Sequence, residues 1–217
     1  MGGSSSQTIG YRYFMGLHMA VCHGPIDSLD QIYVGERSLD IAQQTSNATI
    51  EVDQNGLFGG DEKEGGIVGD LDIEFGAGSQ TVNTYLSNQF DSTTPSFRGV
   101  TSVVFREASN PPSPNYIGPS GGGYLAAMSP YPKPWAFEVT DIPGGSFNPT
   151  KQNISGGANG GHIIYDSLTD VDWGLGIAVF GSYSSMDVNS VDGQEVTDVI
   201  PSISNTAFGI LFSITYN

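Results

Sequence analysis

The chain has 217 residues, 23 acidic and 7 basic, for a formal net charge of −16. That balance excludes a nucleic-acid binder, which gains affinity by neutralising phosphates with Lys and Arg, and a surface that docks on anionic lipid. No run of about 18 apolar residues occurs, so no membrane span is expected, and MGGSSSQTIG lacks the basic and apolar regions of a Sec signal peptide.

Hydrophobic residues make up 38% and aromatics 11%, enough for a real core. Charged residues are only 14%, against about 25% in an average domain. Thirty glycines and 12 prolines beside frequent Ser, Thr and Asn predict turns and strands over helices. The single Cys22 can form no internal disulfide, which fits folding in a reducing cytosol.

In chain order, residues 1–8 are a small, polar tail. Ile9 to Cys22 is mostly apolar and aromatic and predicts one long, largely buried strand, ended by Gly24-Pro25. Ser28 to Val34 is a second strand, Gly35-Glu36-Arg37 a tight turn, and Ser38 to Ile41 a restart. Residues 9–41 therefore read as a β-hairpin followed by a short strand. Thr49 to Val52 alternates as a half-buried strand. Ile67 to Phe75 alternates again, with Leu71, Ile73 and Phe75 on one face and Asp70, Asp72 and Glu74 on the other. That pattern predicts an exposed antiparallel strand. Thr81 to Gln89 predicts a short helix, and Val100 to Arg106 is the strongest buried-strand signal. Residues 109–123 are Pro-, Gly- and Ser-rich loop. Pro130 to Pro134 is a rigid turn before a strand at Trp135 to Val139. Residues 143–161 form a Gly/Asn-rich linker, Gly161 to Thr169 a helix capped by Asn159, and Trp173-Gly174-Leu175-Gly176 its end. Ala207 to Tyr216 alternates as a last strand, and no internal repeat is found.

The expected class is mainly β: antiparallel barrel or sandwich domains with one or two short helices. The expected organisation is a flexible 1–8, β-domain sequence over 9–142 with an inserted segment at about 45–95, a linker at 143–161, and a helix plus C-terminal strand over 162–217.

Few residues suggest chemistry. His18 and His23 flank Cys22, but neither CxxC nor HxxxH spacing supplies the further ligands a metal needs, and His162 stands apart. Cys22 and His23 are strand neighbours and point to opposite faces, so they are no nucleophile pair. Asp70, Asp72 and Glu74 could bring two carboxylates together as in glycosidases. Alternating acids on a solvent face are, however, the ordinary pattern in so acidic a chain. Asp187 to Glu195 (DVNSVDGQE) misses the calcium-loop register, with Val191 at position five and glycine at seven. Asn47-Ala48-Thr49 and Asn153-Ile154-Ser155 match the glycosylation sequon. No GxSxG or phosphate-binding loop occurs. No catalytic, cofactor or metal residue is assigned, no cofactor is expected, and the chain does not read as an enzyme.

Four blocks go further. IGYRYFMGLHMAVCHGPIDSLDQIYVGERSL, LFGGDEKEGGIVGDLDIEFG, TPSFRGVTSVVFREA followed by PYPKPWAFEVTDI, and ANGGHIIYDSLTDVDWGLG occur in this order. Together they resemble the N-terminal part of central tail-hub proteins of long-tailed bacteriophages, the tip-attachment or host-specificity (lambda J-type) class. The resemblance covers about residues 1–176 and fades beyond Gly176.

It implies a structural tail-tip or baseplate protein of the virion, made in the host cytoplasm. Such hubs form a homotrimeric ring of β-domains that joins the tail tube to the tip and lines or closes the DNA exit channel. Implied partners are further copies of the chain, the tail-tube or distal tail protein, the tape-measure protein and tail fibres. Neither membrane insertion nor sequence-specific nucleic-acid binding is implied, and no catalytic residues belong to these blocks. Members of the class continue far beyond this length, so a truncated product, a fragment or one half of a split hub is expected, with any receptor-binding part lying elsewhere. Tyr11–Met19 and Val100–Phe105 are the expected ring-forming strands, and the acidity suits a channel that must not retain DNA. The alternative is a carbohydrate-binding or adhesin β-domain, although Trp135, in a strand behind prolines, and Trp173, in a helix-ending turn, read as core anchors and not as sugar platforms.

Overall fold

Apolar residues recur at every second position through much of the chain, and strands follow from that period. The computed structural model describes residues 11–90, 93–127, 131–142, 153–154, 157–171 and 174–177. It is mainly β, with antiparallel sheets, one nearly closed barrel and two helices. The chain divides into two compact units, Met1–Asp141 and Ile142–Asn217.

The first unit contains β1 (Arg12–Met15), β2 (Leu17–His23), β3 (Ser28–Val34), β4 (Arg37–Ser38), β5 (Ala48–Gln54), β6 (Ile67–Glu74), helix α1 (Thr84–Phe90), β7 (Val100–Arg106), β8 (Gly123–Ala127) and β9 (Trp135–Thr140). All strand pairs are antiparallel. The larger sheet has six strands, and its registers show that four of them lie in tandem. β1 pairs β8 (Met15 opposite Gly123) and β2 pairs β7 (Leu17 opposite Phe105). On the other side β6 pairs β8 through Val68–Tyr124 and β7 through Asp70–Arg106. β8 thus continues β7 after an excursion of the chain over residues 107–122, and β1 and β2 run as one line broken at Gly16. The sheet is therefore four lines wide: β1–β2, β7–β8, β6 and β5.

The smaller sheet has the order β4-β3-β9. The two sheets enclose one core, in which Leu29, Ile32 and Val34 of β3 meet Ile67, Leu71 and Ile73 of β6 and Val103 and Phe105 of β7. All eight are at most 1% exposed. Burial on this scale, about 25 cal/mol per Å2 of apolar surface, is what holds the sheets together. Phe105 fills the tandem break: a Cβ at Gly69 or Gly123 would come within 2.4 Å of its ring.

Several expectations need correction. Residues 9–22 do not form one buried strand. Two tandem strands take their place, and their core-facing Met15, Leu17, Met19 and Val21 are only half-buried because β1–β2 ends the sheet. The expected hairpin between this segment and Ser28–Val34 is absent. The Gly24-Pro25 corner, with its cis peptide, sends β3 into the other sheet, and the actual hairpin is β3–β4. β8 was expected as loop or left unassigned, and the loop ends at Gly122, not at residue 123. Most importantly, β6 is not an exposed strand: Asp70 is 1% exposed and Glu74 8%. Its outer face is covered by α1 and by the excursion 107–122.

In the second unit, β10 (Asn153–Ile154) and β11 (Gly157–Ala158) form a two-stranded antiparallel sheet, followed by helix α2 (Gly160–Thr169). The Asn159 carbonyl accepts the first helical bond, from Ile163 N at 3.1 Å. The chain after the helix folds back, with Ile177 N donating to Leu168 O at 2.7 Å. The expected strand Ala207–Tyr216, the turn Asp187–Glu195 and Trp173 lie outside the described residues.

Candidate functional site

The acidic face of β6 is the part of the first unit where chemistry-bearing side chains converge. Alternation along β6 sends Leu71 and Ile73 into the core and Asp70, Asp72 and Glu74 to the outer side. β7 brings Arg106 directly opposite Asp70. The Arg106 guanidinium binds Asp72 in a fork, Nε to Oδ2 at 2.9 Å and Nη2 to Oδ1 at 3.0 Å. Its Nη1 also stands 2.9 Å from Asp70 Oδ2. One cation is therefore shared by two carboxylates, Asp70 fully buried and Asp72 partly so.

Neutral donors complete the network. Thr49 Oγ1 donates to Asp72 at 2.8 Å and Asn83 Nδ2 at 3.1 Å. The Ser109 backbone N–H and hydroxyl both donate to Asp70 Oδ2, while Asp70 Oδ1 is buried with no partner. Asn83 does double duty, because its Oδ1 also accepts from Leu86 N at 3.1 Å in the first turn of α1. Gln80 Nε2 and the Ser102 hydroxyl face Glu74 at 3.5 and 3.4 Å. Gln80 also accepts from Gly76 N and donates to Ser96 O, which ties the segment before α1 to the sheet.

Identical side-chain chemistry titrates in opposite directions here. Burial pushes the Asp72 carboxyl up, but hydrogen bonds from Arg106, Asn83 and Thr49, with the Arg106 charge, outweigh it and hold Asp72 below the ordinary range. Burial also pushes Glu74 up, the Asp72 charge adds to it, and the bonds from Asn83 and Ser102 only partly offset them. The Arg106 guanidinium is raised by its bonds to Asp72.

Above these groups lies a groove of about 690 Å3, walled by Thr49 of β5 and Val82 and Thr84 of the α1 segment, floored by Asp72 and Glu74, and closed by Tyr85 and Arg106. Split carboxylate pKa values in a groove are one signature of acid–base chemistry. In this case Asp72 is committed on both oxygens to Arg106 of β7, and Asn83 just before α1 and Ser109 of the excursion join the same network. What the arrangement does is clamp those two covering segments onto the sheet.

The other singled-out residues are dispersed. His18 lies on the outer side of β2 opposite Val104, its ring edge-on to Phe97 at 4.5 Å, and its partial burial lowers its pKa. Cys22 and His23 face Thr101 and Val100 at the end of β2. Among the described residues no group of three His, Cys, Asp or Glu side chains is placed to hold a metal. His162 falls in α2 and Asn153 in β10. Asn47 accepts from Phe75 N at 2.8 Å through its side chain. Trp135 packs on Phe105 at 5.6 Å and stacks with Phe137 at 6.4 Å, with its indole N–H buried and unpartnered. It therefore serves as a core anchor. Sequence reasoning found the three carboxylates but missed Arg106, Asn83 and Ser109. The residue of opposite charge at the end of the strongest strand was the available signal for Arg106.

No family model matches the chain, and no curated protein matches it.

Proposed function

We propose that this chain is a structural component of a bacteriophage tail tip, a central hub protein whose copies form a ring, joining the tail tube to the distal tip and lining or closing the DNA exit channel. One observation carries the reading: the sequence blocks that resemble tail hubs are also the framework of the first unit. Block one supplies β1 to β4, block two the turn before β6 and β6 itself, and block three β7 and β9. Only β5 and β8 among the barrel strands lie outside them. A resemblance confined to loops or to one helix would carry much less weight. The clamp on the outer face adds to it, since it holds the segment before α1 and the excursion against the sheet and so rigidifies the barrel. The reading further assigns the protein to the virion, with the tail-tube or distal tail protein, the tape-measure protein and tail fibres as neighbours.

The test is to mix the purified chain with the tail-tube protein encoded by the same genome and to image and weigh the products. A ring capping the tube end is the expected result. A chain that ignores the tube protein at tens of micromolar overturns the reading.

A further inference from the structure

We propose that copies of this chain join edge to edge, with β5 of one copy adding to the β1–β2 edge of the next, so that the larger sheet continues from copy to copy. The proposal deepens the hub reading by naming the surface a ring would use, and it rests on that reading only for its biological setting.

The larger sheet ends in two strand lines that pair on one side only: β1–β2 pairs β8 and β7, and β5 pairs β6. Neither edge has a further strand partner among the described residues. Unpaired edges present rows of N–H and C=O groups, and proteins that avoid strand addition block them with charges, prolines or very short strands. Here β2 and β5 are seven residues each, without proline, and β2 carries no carboxylate, whereas β5 carries Glu51 and Asp53. The core-facing Leu17, Met19 and Val21 of β2 and Ile50 of β5 are only half-buried, although they pack against the central core. Their remaining apolar surface lies at the sheet's two ends. Val100–Phe105, expected as a ring-forming strand, is paired on both sides by β2 and β6 and cannot serve.

Charge selects which edges meet. At −16 overall, copies repel, so contact is cheapest where carboxylates are fewest. No acidic residue occurs before Asp27; Arg12 of β1 is already paired with Asp61, while β2 carries His18 and His23 and no carboxylate. The exposed outer side of β5 carries Glu51 and Asp53. Pairing β5 with β5 would set these carboxylates against each other, and pairing β2 with β2 would leave them unopposed. Pairing β5 with β1–β2 removes the repulsion and matches inner with inner face. The sheet has an even number of strand lines, four, so the antiparallel alternation continues unbroken across the junction. The contact is head-to-tail, and such contacts give closed rings when the rotation closes.

The test uses the full chain and its molecular mass in solution at low and moderate salt. Self-association of the wild type is expected. Ala20→Glu places a carboxylate on the outer side of β2 and should weaken association about twofold to fivefold. Combining it with Glu51→Lys and Asp53→Lys should restore association, which misfolding cannot do; circular dichroism checks each variant. A monomeric wild type, an Ala20→Glu variant that associates unchanged, or a triple variant without recovery overturns the proposal. The tube-binding experiment separates the two readings. A chain that oligomerises but ignores the tube protein keeps the edge pairing and loses the hub role, and a monomer that binds the tube does the reverse.

Discussion

Replacing Arg106 with Met is the most informative perturbation of the clamp. The substitution keeps much of the side-chain volume and removes the charge shared by Asp70 and Asp72. Both carboxylates stay in place, Asp70 out of reach of water and Asp72 at the floor of the groove, with only Thr49, Asn83 and Ser109 still donating to them. Breaking a buried ion pair from one side costs about 3–5 kcal/mol. Protonation sets a ceiling: taking a proton at pH 7 onto a carboxyl with a pKa near 4 costs about 4 kcal/mol, so neither site can be destabilised much beyond that. At roughly 4 °C per kcal/mol for a unit of this size, the melting temperature should fall by roughly 12–20 °C. Urea titration followed by circular dichroism gives the free energy directly.

The pH dependence carries the sharper test. In the wild type, Asp72 is held below its unfolded value, so its stabilisation is full above about pH 4 and is lost as the pH falls further. In the variant the buried carboxylate has lost its counter-ion, and its stability cost appears as the pH rises. The gap between the two proteins must therefore widen from pH 3 to pH 7. A gap below about 1 kcal/mol at pH 7, or one that does not change with pH, would refute the account of the clamp.

Glu74→Gln should do the opposite. Glu74 is raised above its unfolded value, so its charged form opposes folding at neutral pH; the variant should gain about 1 kcal/mol or less at pH 7 and nothing at pH 4, measured by the same titration. Gly16→Ala should destabilise by about 1 kcal/mol, the low end for overpacking, because its Cβ would crowd the hydroxyl end of the half-buried Tyr85 side chain. Adding Tyr85→Phe should recover part of that loss, and a strictly additive double variant would show the contact to be unimportant. Phe105→Ala should cost about 3–5 kcal/mol in thermal unfolding, since its ring is fully buried at the tandem break.

The strand boundaries that sequence identified best are those whose pattern is complete locally. β3 and β7 fall on Ser28–Val34 and Val100–Arg106 as the apolar runs indicated. β8 escaped notice because Gly123, Ala126 and Ala127 are weak strand formers, and it is a strand by virtue of continuing β7 between β1 and β6. The outer face of β6 was misjudged for a different reason. An alternating acidic face looks the same whether water or protein covers it, and its cover comes from Gln80 and Asn83 in the segment that follows the strand and from Arg106 and Ser109, which are remote in sequence. The helix α1 was legible, but its role in burying carboxylates was not, since it depends on Asn83 reaching both Asp72 and Leu86.

The excursion between β7 and β8 leaves the sheet and returns to the same line, and its two ends are pinned by Glu107 N donating to Gly121 O at 2.7 Å. The barrel therefore does not measure how much chain lies between those points. Lengthening the segment near its exposed tip, away from Ser109 and Tyr116, would add only a slowly growing closure entropy and leave every strand register intact. That makes the tip a natural graft point, where a foreign epitope, a fluorescent label or an evolved decoration could be carried on an unaltered scaffold.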